Sequence, residues 1–569
     1  AVAAHDGVGS NLYAHIKGSK VMRVVPRDNE AVNEVWISDR DRFSYTGLYS
    51  EDRLLRPRVK RDGEWVEADW DIALADVAEK LRTTDAAKLG ALIHPSSTVE
   101  EHFLLQKVMR GLGSGNVDHR LRAVDVSDQS DVPAYPHIGQ SIESLEQVDA
   151  ALLVGSDCRR EQPLINHRLR KAALKGAAVM AINATRYDAN YETGPQCVVS
   201  PGEMLGALAG VAKSLQEAGA SGMGTLDAAL QGVTPSDEQR AIAQALLAAE
   251  RPTVLLGHLS LAHPQASGLR ALAGHVASLA GGTFGVLSDG ANAAGAALAG
   301  TLPHRGPGGQ PAAVSGVSAG EMLNGCDAFV LLNVEPELDC ADGRVAKEAM
   351  IGAELVVALT AYRSEAMDAY ADVQLPIAPF AETAGSYVNL EGLWQSVDEI
   401  VRPQGEARPA WRVLRVLGNA LELEGFEYQH AAEIATEVRA LAPSERPENA
   451  GKWREPDAPN GGSAQVWRAG SVPMYAVDPV VRRAEPLQRT GDAQSTTYVR
   501  MSAALAASAG IADNARVTVT QGAHSIELVA RIDDSVAANC VLVPSGVGET
   551  GDLGTAVGPV SLGLAGGGD

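Results

Sequence analysis

Cysteine is scarce in this chain: there are five in 569 residues, Cys158, Cys197, Cys326, Cys340 and Cys540. The count is odd, the positions are dispersed and no Cys-x-x-Cys pair occurs. This argues against a disulfide framework and against a thiolate-bound zinc or iron-sulfur site. Each cysteine reads as an isolated buried thiol, packing as a small hydrophobe in a reducing compartment. Aromatic residues make up only 4%, so cores of small aliphatic side chains and closely packed helices are expected. No apolar run approaches the roughly 18 residues of a bilayer span, which leaves membrane contact to partners. Positive charge is in deficit. Forty-eight Lys and Arg against 71 Asp and Glu give a net charge of -23, which repels phosphates and disfavours nucleic acid or an anionic membrane. The opening AVAAHDG has no initiator Met, basic region or apolar core of signal length, and reads as the middle of a longer gene truncated at Ala1.

Several signatures of chemistry are missing too. Neither the Gly-x-Gly-x-x-Gly fingerprint nor a Gly-Lys-Ser/Thr phosphate loop follows any strand, which excludes the usual NAD and ATP sites. No nucleophile elbow, His-Glu-x-x-His or paired-carboxylate signature stands out, and no catalytic residue is assigned.

What is present is a globular composition, 45% hydrophobic and 21% charged, over a length that calls for several domains. Residues 1–68 read as a β-rich region. A hairpin turns at Gly18, Asp28 or Asn29 caps a short helix EAVNEVWI, the loop ISDRDRFSY is dense in charge, and a second hairpin turns at Asp62-Gly63. Residues 69–440 read as α/β. A helix from Asp69 places Ile72, Leu74, Val77, Ala78 and Leu81 on one side, and strand 89–95 leads into a helix with the capping box Thr98 to Glu101. Strand, helix and strand over 148–183 recur in the same order over 326–362, the pattern of two Rossmann-like lobes. Residues 441–480 are taken as a linker, with an irregular arm near Ala442 to Pro473. Residues 481–569 alternate strands and turns as a small closed β-barrel would.

Three loops carry polar clusters. GSDCRREQP opens a helix after a buried strand, the usual ligand position of a doubly wound sheet, without phosphate-binding glycines. His304 and Arg305 precede a Gly-Pro-Gly-Gly turn that either holds an anion or forms a fixed surface loop. In VDHRLRAVD, Arg120 and Arg122 with Asp118 and Asp125 either clamp a carboxylate or pair internally, and internal pairing is favoured.

Five stretches carry a resemblance: GSKVMRVVPRDNEAVNEVWISDRDRFSY, VDHRLRAVD, NAAGAALAGTLPHRGPGG, FAETAGSYVNLEGLWQS and DPVVRRAEPLQRT. Together they resemble the large iron-sulfur subunit of bacterial NADH:quinone oxidoreductase, respiratory complex I, and specifically its molybdopterin-oxidoreductase-like part. The resemblance implies the scaffold portion of an electron-transfer subunit in a proton-translocating respiratory enzyme, with no reaction centre here and no activity alone. It implies [2Fe-2S] and [4Fe-4S] clusters in N-terminal modules preceding Ala1. It also implies partners in the hydrophilic arm, among them the flavin-bearing subunit, and a peripheral place on the cytoplasmic face of the inner membrane. The alternative is a molybdopterin-dependent oxidoreductase such as a formate dehydrogenase. Those enzymes usually hold their metal through Cys, selenocysteine or Ser in the segment matching HRLRAVD, and no Cys precedes Cys158. The shared Glu-Gly-Arg pattern is here Glu391-Gly392-Leu393.

Some members of the resembled family bind an extra [4Fe-4S] cluster through Cys-x2-Cys-x3-Cys and a distant Cys before Asp-Arg. The matching positions are Ala3, Asp6, Ser10 and Ser38, so the resemblance implies a vestigial site. Hydrogen bonds from Asp6, Ser10 and Ser38 are expected to hold the loops that a cluster would tie together.

Overall fold

The computed structural model describes residues 1–222, 226, 230–449 and 465–565. The chain divides into two compact units, each built from three stretches. Ala1–Leu121, Asp289–Pro447 and Tyr475–Thr490 form the first, and Arg122–Ser288, Glu448–Met474 and Gly491–Asp569 form the second.

The first unit is built on a seven-stranded sheet in the order Glu64–Glu67, Arg58–Arg61, Val373–Pro376, Leu355–Thr360, Ala328–Leu332, Leu89–Ile93 and Val117–Asp118. The hairpin Arg58–Arg61/Glu64–Glu67 joins antiparallel, and the other five strands run parallel. Leu89–Ile93, Ala328–Leu332 and Leu355–Thr360 are buried throughout, as strands covered on both faces must be, which is why they read as continuous apolar runs. The helix Val99–Gly111 follows its strand, with Thr98 and Glu101 completing the expected capping box. A separate two-stranded hairpin, Leu12–Lys17 with Lys20–Pro26, lies in the same unit.

The second unit holds an all-parallel sheet in the order Thr283–Val286, Pro252–Leu256, Ala150–Val154, Ala178–Asn183 and Gln196–Val198. It also holds a closed six-stranded barrel: Val466–Ala469, Cys540–Leu542, Tyr498–Met501, His524–Ile532, Arg516–Gln521 and Val557–Leu564. Trp467, Cys540 and Leu542 of the barrel share a core with Met204, Leu208 and Val254 of the sheet layer.

Four local expectations are corrected. EAVNEVWI is a turn, not a helix, because the backbone N–H groups of Val32, Asn33 and Glu34 all donate to the Asn29 carbonyl. The buried Asn33 amide also donates to the Arg27 and Trp36 carbonyls, closing the loop on itself. The charged loop after it contains the helix Asp39–Phe43, capped by Ser38. In the helix Trp70–Thr83, Leu74, Val77, Ala78 and Leu81 are buried as expected but Ile72 is 52% exposed, and Trp70 and Ala73 take its place. Of the arm expected near Ala442 to Pro473, residues 450–464 lie outside the described residues, and Val466–Ala469 is a barrel strand. Among the described residues no helix is long and apolar enough to cross a membrane.

Candidate functional site

In the first unit, residues from both ends of the chain meet in a buried polar knot. Asp478 starts the short helix Pro479–Arg482, where Pro at the first helical position and Asp as cap follow the usual preferences. Its Oδ1 accepts the Val480 and Val481 N–H groups at 2.9 Å each. Its Oδ2 lies 2.7 Å from His5 Nδ1, and His5 Nε2 lies 2.7 Å from Ser44 Oγ. Burial disfavours a charged His5, but the charge and hydrogen bond of Asp478 prevail and raise its pKa. Burial likewise opposes ionisation of Asp478, yet His5 and the helix N–H groups hold its carboxyl well below the usual range. The two side chains thus form a buried, hydrogen-bonded pair that favours the charged form of each.

Asp6 sits beside it. Its Oδ1 accepts Val8 N–H at 3.1 Å and its Oδ2 accepts Arg40 Nη2 at 2.9 Å, with Arg40 only 1% exposed. Ser38 Oγ accepts Asp41 N–H at 3.2 Å while Asp41 Oδ2 accepts Ser38 N–H at 3.3 Å, a reciprocal box closing the helix start. Burial and the neighbouring Asp6 carboxylate push the Asp41 pKa up to about 6.

The loop 7–11 is stitched to the FAETAG-containing stretch through backbone groups. Leu390 N–H donates to Gly7 O at 2.8 Å, Asn389 Nδ2 to Val8 O at 3.0 Å and Gln395 Nε2 to Gly9 O at 2.9 Å. Gly9 has φ +74° and a Cβ there would lie 2.4 Å from Gln395 Nε2, so glycine is required.

A second buried charge group adjoins Asp478 in sequence. Arg482 and Arg483 both contact Glu335, at 2.9 and 2.7 Å, and Arg482 also contacts Asp339 at 2.9 Å. Burial would raise the Glu335 pKa, but the two guanidinium groups lower it to about 2. Arg53 holds Glu382 through two Nη–Oε bonds of 3.1 and 2.9 Å.

The four positions matched by the resemblance, Ala3, Asp6, Ser10 and Ser38, act differently from one another. Asp6 bonds the second loop through Arg40, whereas Ser38 bonds Asp41 within its own helix start; Ser10 Oγ is buried without a hydrogen-bond partner, and Ala3 packs in an apolar cluster with Leu12, Leu48 and Tyr362. The hub that sequence reasoning missed is the His5–Asp478 pair, whose partners are 473 positions apart. Its one local signal was the Asp-Pro start of DPVVRR.

The remaining predicted clusters are held internally. Arg120 grips Asp118 with Nε and Nη2 at 3.0 and 2.8 Å. Asp125 instead bonds Ser267 N–H and Oγ in the second unit, at 2.8 and 2.5 Å. In the His304-Arg305 loop, the Arg305 carbonyl accepts from Arg110, and Gly308 packs against the Leu441 carbonyl so closely that a Cβ would fall 2.1 Å from its oxygen. That favours the fixed-loop reading. In GSDCRREQP the Ser156 hydroxyl and Asp157 N–H bond Glu161, at 2.8 and 3.1 Å, and burial keeps the Cys158 thiol protonated. Asn389 Oδ1 accepts the Glu391 and Leu393 N–H groups, so the departing Glu-Gly-Leu sequence still forms a turn.

The molybdopterin oxidoreductase profile matches residues 53–420, well over half of the chain. The chain belongs to the molybdopterin oxidoreductase family. Residues 1–46 match the NADH-ubiquinone oxidoreductase NDSU1/NuoG-like 4Fe-4S domain, and 480–561 the molydopterin dinucleotide binding domain. The NADH-quinone oxidoreductase G subunit of Rickettsia felis is 25% identical over 74% of this chain and 55% of that protein, which bears out the resemblance read from the motifs. F420-dependent formate dehydrogenase subunit alpha of Methanocaldococcus jannaschii, also similar, is 25% identical over 78% of this chain and 73% of its own. The acetylene hydratase structure from Pelobacter acetylenicus superposes with a TM-score of 0.71 at 13% identity, covering 99% of both chains, and shares the fold. This member of the molybdopterin oxidoreductase family spans about half the length of the NADH-quinone and NADH-ubiquinone oxidoreductase relatives that match it over most of its own length.

The family implies two groups whose fit these residues test. A [4Fe-4S] cube takes one external ligand per iron, usually a thiolate. Ala3 offers no donor atom, Asp6 is engaged by Arg40, Ser38 by a helix start, and only the Ser10 hydroxyl is unengaged. For molybdenum, the segment Val117 to Asp125 offers only Asp118 and His119 as donors within the first unit. Both are buried and bonded inward, Asp118 to Arg120 and His119 Nδ1 to the Thr301 carbonyl at 2.8 Å. Neither donor set fits its group. Among the described residues no cluster of three His, Cys, Asp or Glu side chains is disposed to hold a metal ion.

Proposed function

We propose that this chain is the scaffold portion of an electron-transfer subunit of NADH:quinone oxidoreductase, without a catalytic residue or cofactor of its own. It acts within a respiratory assembly that passes electrons from NADH through iron-sulfur clusters to quinone and translocates protons. The five-stranded parallel sheet and the mostly parallel seven-stranded sheet are, on this reading, the lobes of a Rossmann-like pair. On this reading the iron-sulfur clusters of the assembly are held outside these 569 residues. Other subunits of the hydrophilic arm, including the flavin-bearing one, are its partners, and it is peripheral, on the cytoplasmic face of the bacterial inner membrane.

The observation that carries this reading is the Asp6–Arg40 ion pair at a matched cluster position. A guanidinium now neutralises the carboxylate that stands where a thiolate would bind iron. Ala3, Asp6, Ser10 and Ser38 are on this reading the remains of a lost cluster site, with structure kept and redox chemistry gone. The test is anaerobic reconstitution with iron and sulfide followed by electron paramagnetic resonance after reduction. A silent spectrum is expected; a cluster signal abolished by Asp6→Ala or Ser38→Ala would overturn the reading.

The second reading, a molybdopterin-dependent enzyme such as a formate dehydrogenase, draws on the fuller match to the formate dehydrogenase alpha subunit. The inward bonding of Asp118 speaks against it. Near-stoichiometric molybdenum or tungsten in the purified protein, or steady formate turnover by it, would decide for this alternative.

A further inference from the structure

We infer that the hairpin Leu12–Lys17/Lys20–Pro26 is a docking surface for an acidic face of another protein subunit. The inference rests on the reading above for the existence of partners, and adds where one of them binds and by what chemistry.

Three observations meet on this hairpin. From Asn11 to Arg27 there is no Asp or Glu, while Lys17, Lys20, Arg23 and Arg27 are all cationic, in a chain whose net charge is -23. Among the described residues Lys17, Lys20 and Arg23 form no ion pair, although many arginines elsewhere in this unit are matched to carboxylates. Arg23 donates to His15 and Lys20 lies over the Tyr49 ring, so these cations are positioned without being neutralised.

The second observation is apolar exposure. Leu12, Val21 and Val24 face the core, whereas Tyr13, Ile16 and Met22 are 56%, 48% and 52% exposed. Register supplies the third. Tyr13 pairs with Val25, His15 with Arg23 and Lys17 with Lys20, so these six residues share one outward face, while Ile16 pairs with the buried Val21 on the other and Met22 is the extra residue of the bulge between them. The sheet has only two strands, with no third strand on it among the described residues.

A face on which the exposed Tyr13 ring and Val25 stand beside Lys17, Lys20 and Arg23 suits a protein interface, where apolar side chains are buried and charges steer the approach. The complementary surface carries carboxylates around an apolar centre. Lipid headgroups and nucleic acid are poor occupants because each presents negative charge over an extended surface that would also meet the acidic remainder of the molecule, whereas a protein face can confine its carboxylates to the hairpin. A second copy docked symmetrically through the same hairpin would set cations against cations, so it lacks the carboxylates that this face calls for.

The test uses the intact assembly, isolated through a tag on this chain and treated with a water-soluble carbodiimide, which joins lysine amines to carboxylates in contact with them. Mass spectrometry is expected to find Lys17 or Lys20 coupled to Asp or Glu of a different subunit. The K17E/K20E/R23E variant, which changes only exposed side chains, should keep its circular dichroism and lose both that coupling and the partner. K17Q/K20Q/R23Q should retain the partner at low salt and release it as salt rises. Coupling only to this chain's own carboxylates, or to a second copy of it, overturns the docking inference and leaves the electron-transfer reading standing. Recovery of the chain alone, with no other subunit, overturns both.

Discussion

Burial decides what each charge in the polar knot is worth. Arg40 and Asp6 are 1% and 2% exposed at the side chain, whereas the Arg489–Glu485 pair is 74% and 71% exposed. Removing one partner of a buried pair leaves an uncompensated charge and costs about 3–5 kcal/mol, while an exposed pair contributes about 0–1 kcal/mol. Asp6→Ala is therefore expected to lower unfolding stability by about 3–5 kcal/mol in urea titration, and Glu485→Ala by less than about 1 kcal/mol. Asp41 gives a pH signature. Its folded pKa of about 6 lies above the ordinary 3.8, so between those values the folded protein keeps a proton that the unfolded chain has released. Stability from this group is complete below pH 3.8 and declines as pH rises to about 6. Asp41→Asn should flatten that decline, seen as a smaller fall in melting temperature between pH 4 and about 6.5 than in the unchanged protein.

At the scale of elements, boundaries rest on side chains that give backbone groups a partner. Thr98 and Glu101 close the start of Val99–Gly111 with bonds of 3.3 and 2.8 Å. Thr98→Ala is expected to cost about 1 kcal/mol in the same titration. This cap was legible because Thr-Val-Glu-Glu precedes an apolar-periodic run. The turn 29–37 was not, since its apolar spacing imitates a helix while the Asn33 amide, bonded to carbonyls at both ends, holds another path. Ile72 shows the limit of periodicity, which finds the apolar side of a helix but cannot tell which residue at its border the neighbouring layer leaves uncovered.

For the whole molecule, net charge governs behaviour in solution. With a charge of -23, self-repulsion opposes the compact state and salt screens it within about 10 Å at 0.1 M. Raising sodium chloride from about 0.01 to 0.2 M at pH 7 should raise the melting temperature, read by scanning calorimetry. An unchanged or falling value would show that the buried pairs, rather than the surface charge, dominate the salt response.

Sequence alone determined the parallel strands, most of their crossover helices, the Gly18 hairpin and the resemblance to a complex I subunit. Those features depend on neighbours in the chain: runs of apolar residues, 3.6-residue periods, caps and turn residues. Only the tertiary structure decided that Val466–Ala469 closes the barrel, because its partners Cys540–Leu542 and Val557–Leu564 lie far along the chain. It likewise decided that Asp6 belongs to Arg40 and His5 to Asp478. A carboxylate near an arginine in sequence is common, and which pair is desolvated together depends on packing that brings position 5 against position 478. Local pattern sets the elements, whereas burial selects which polar groups must satisfy one another.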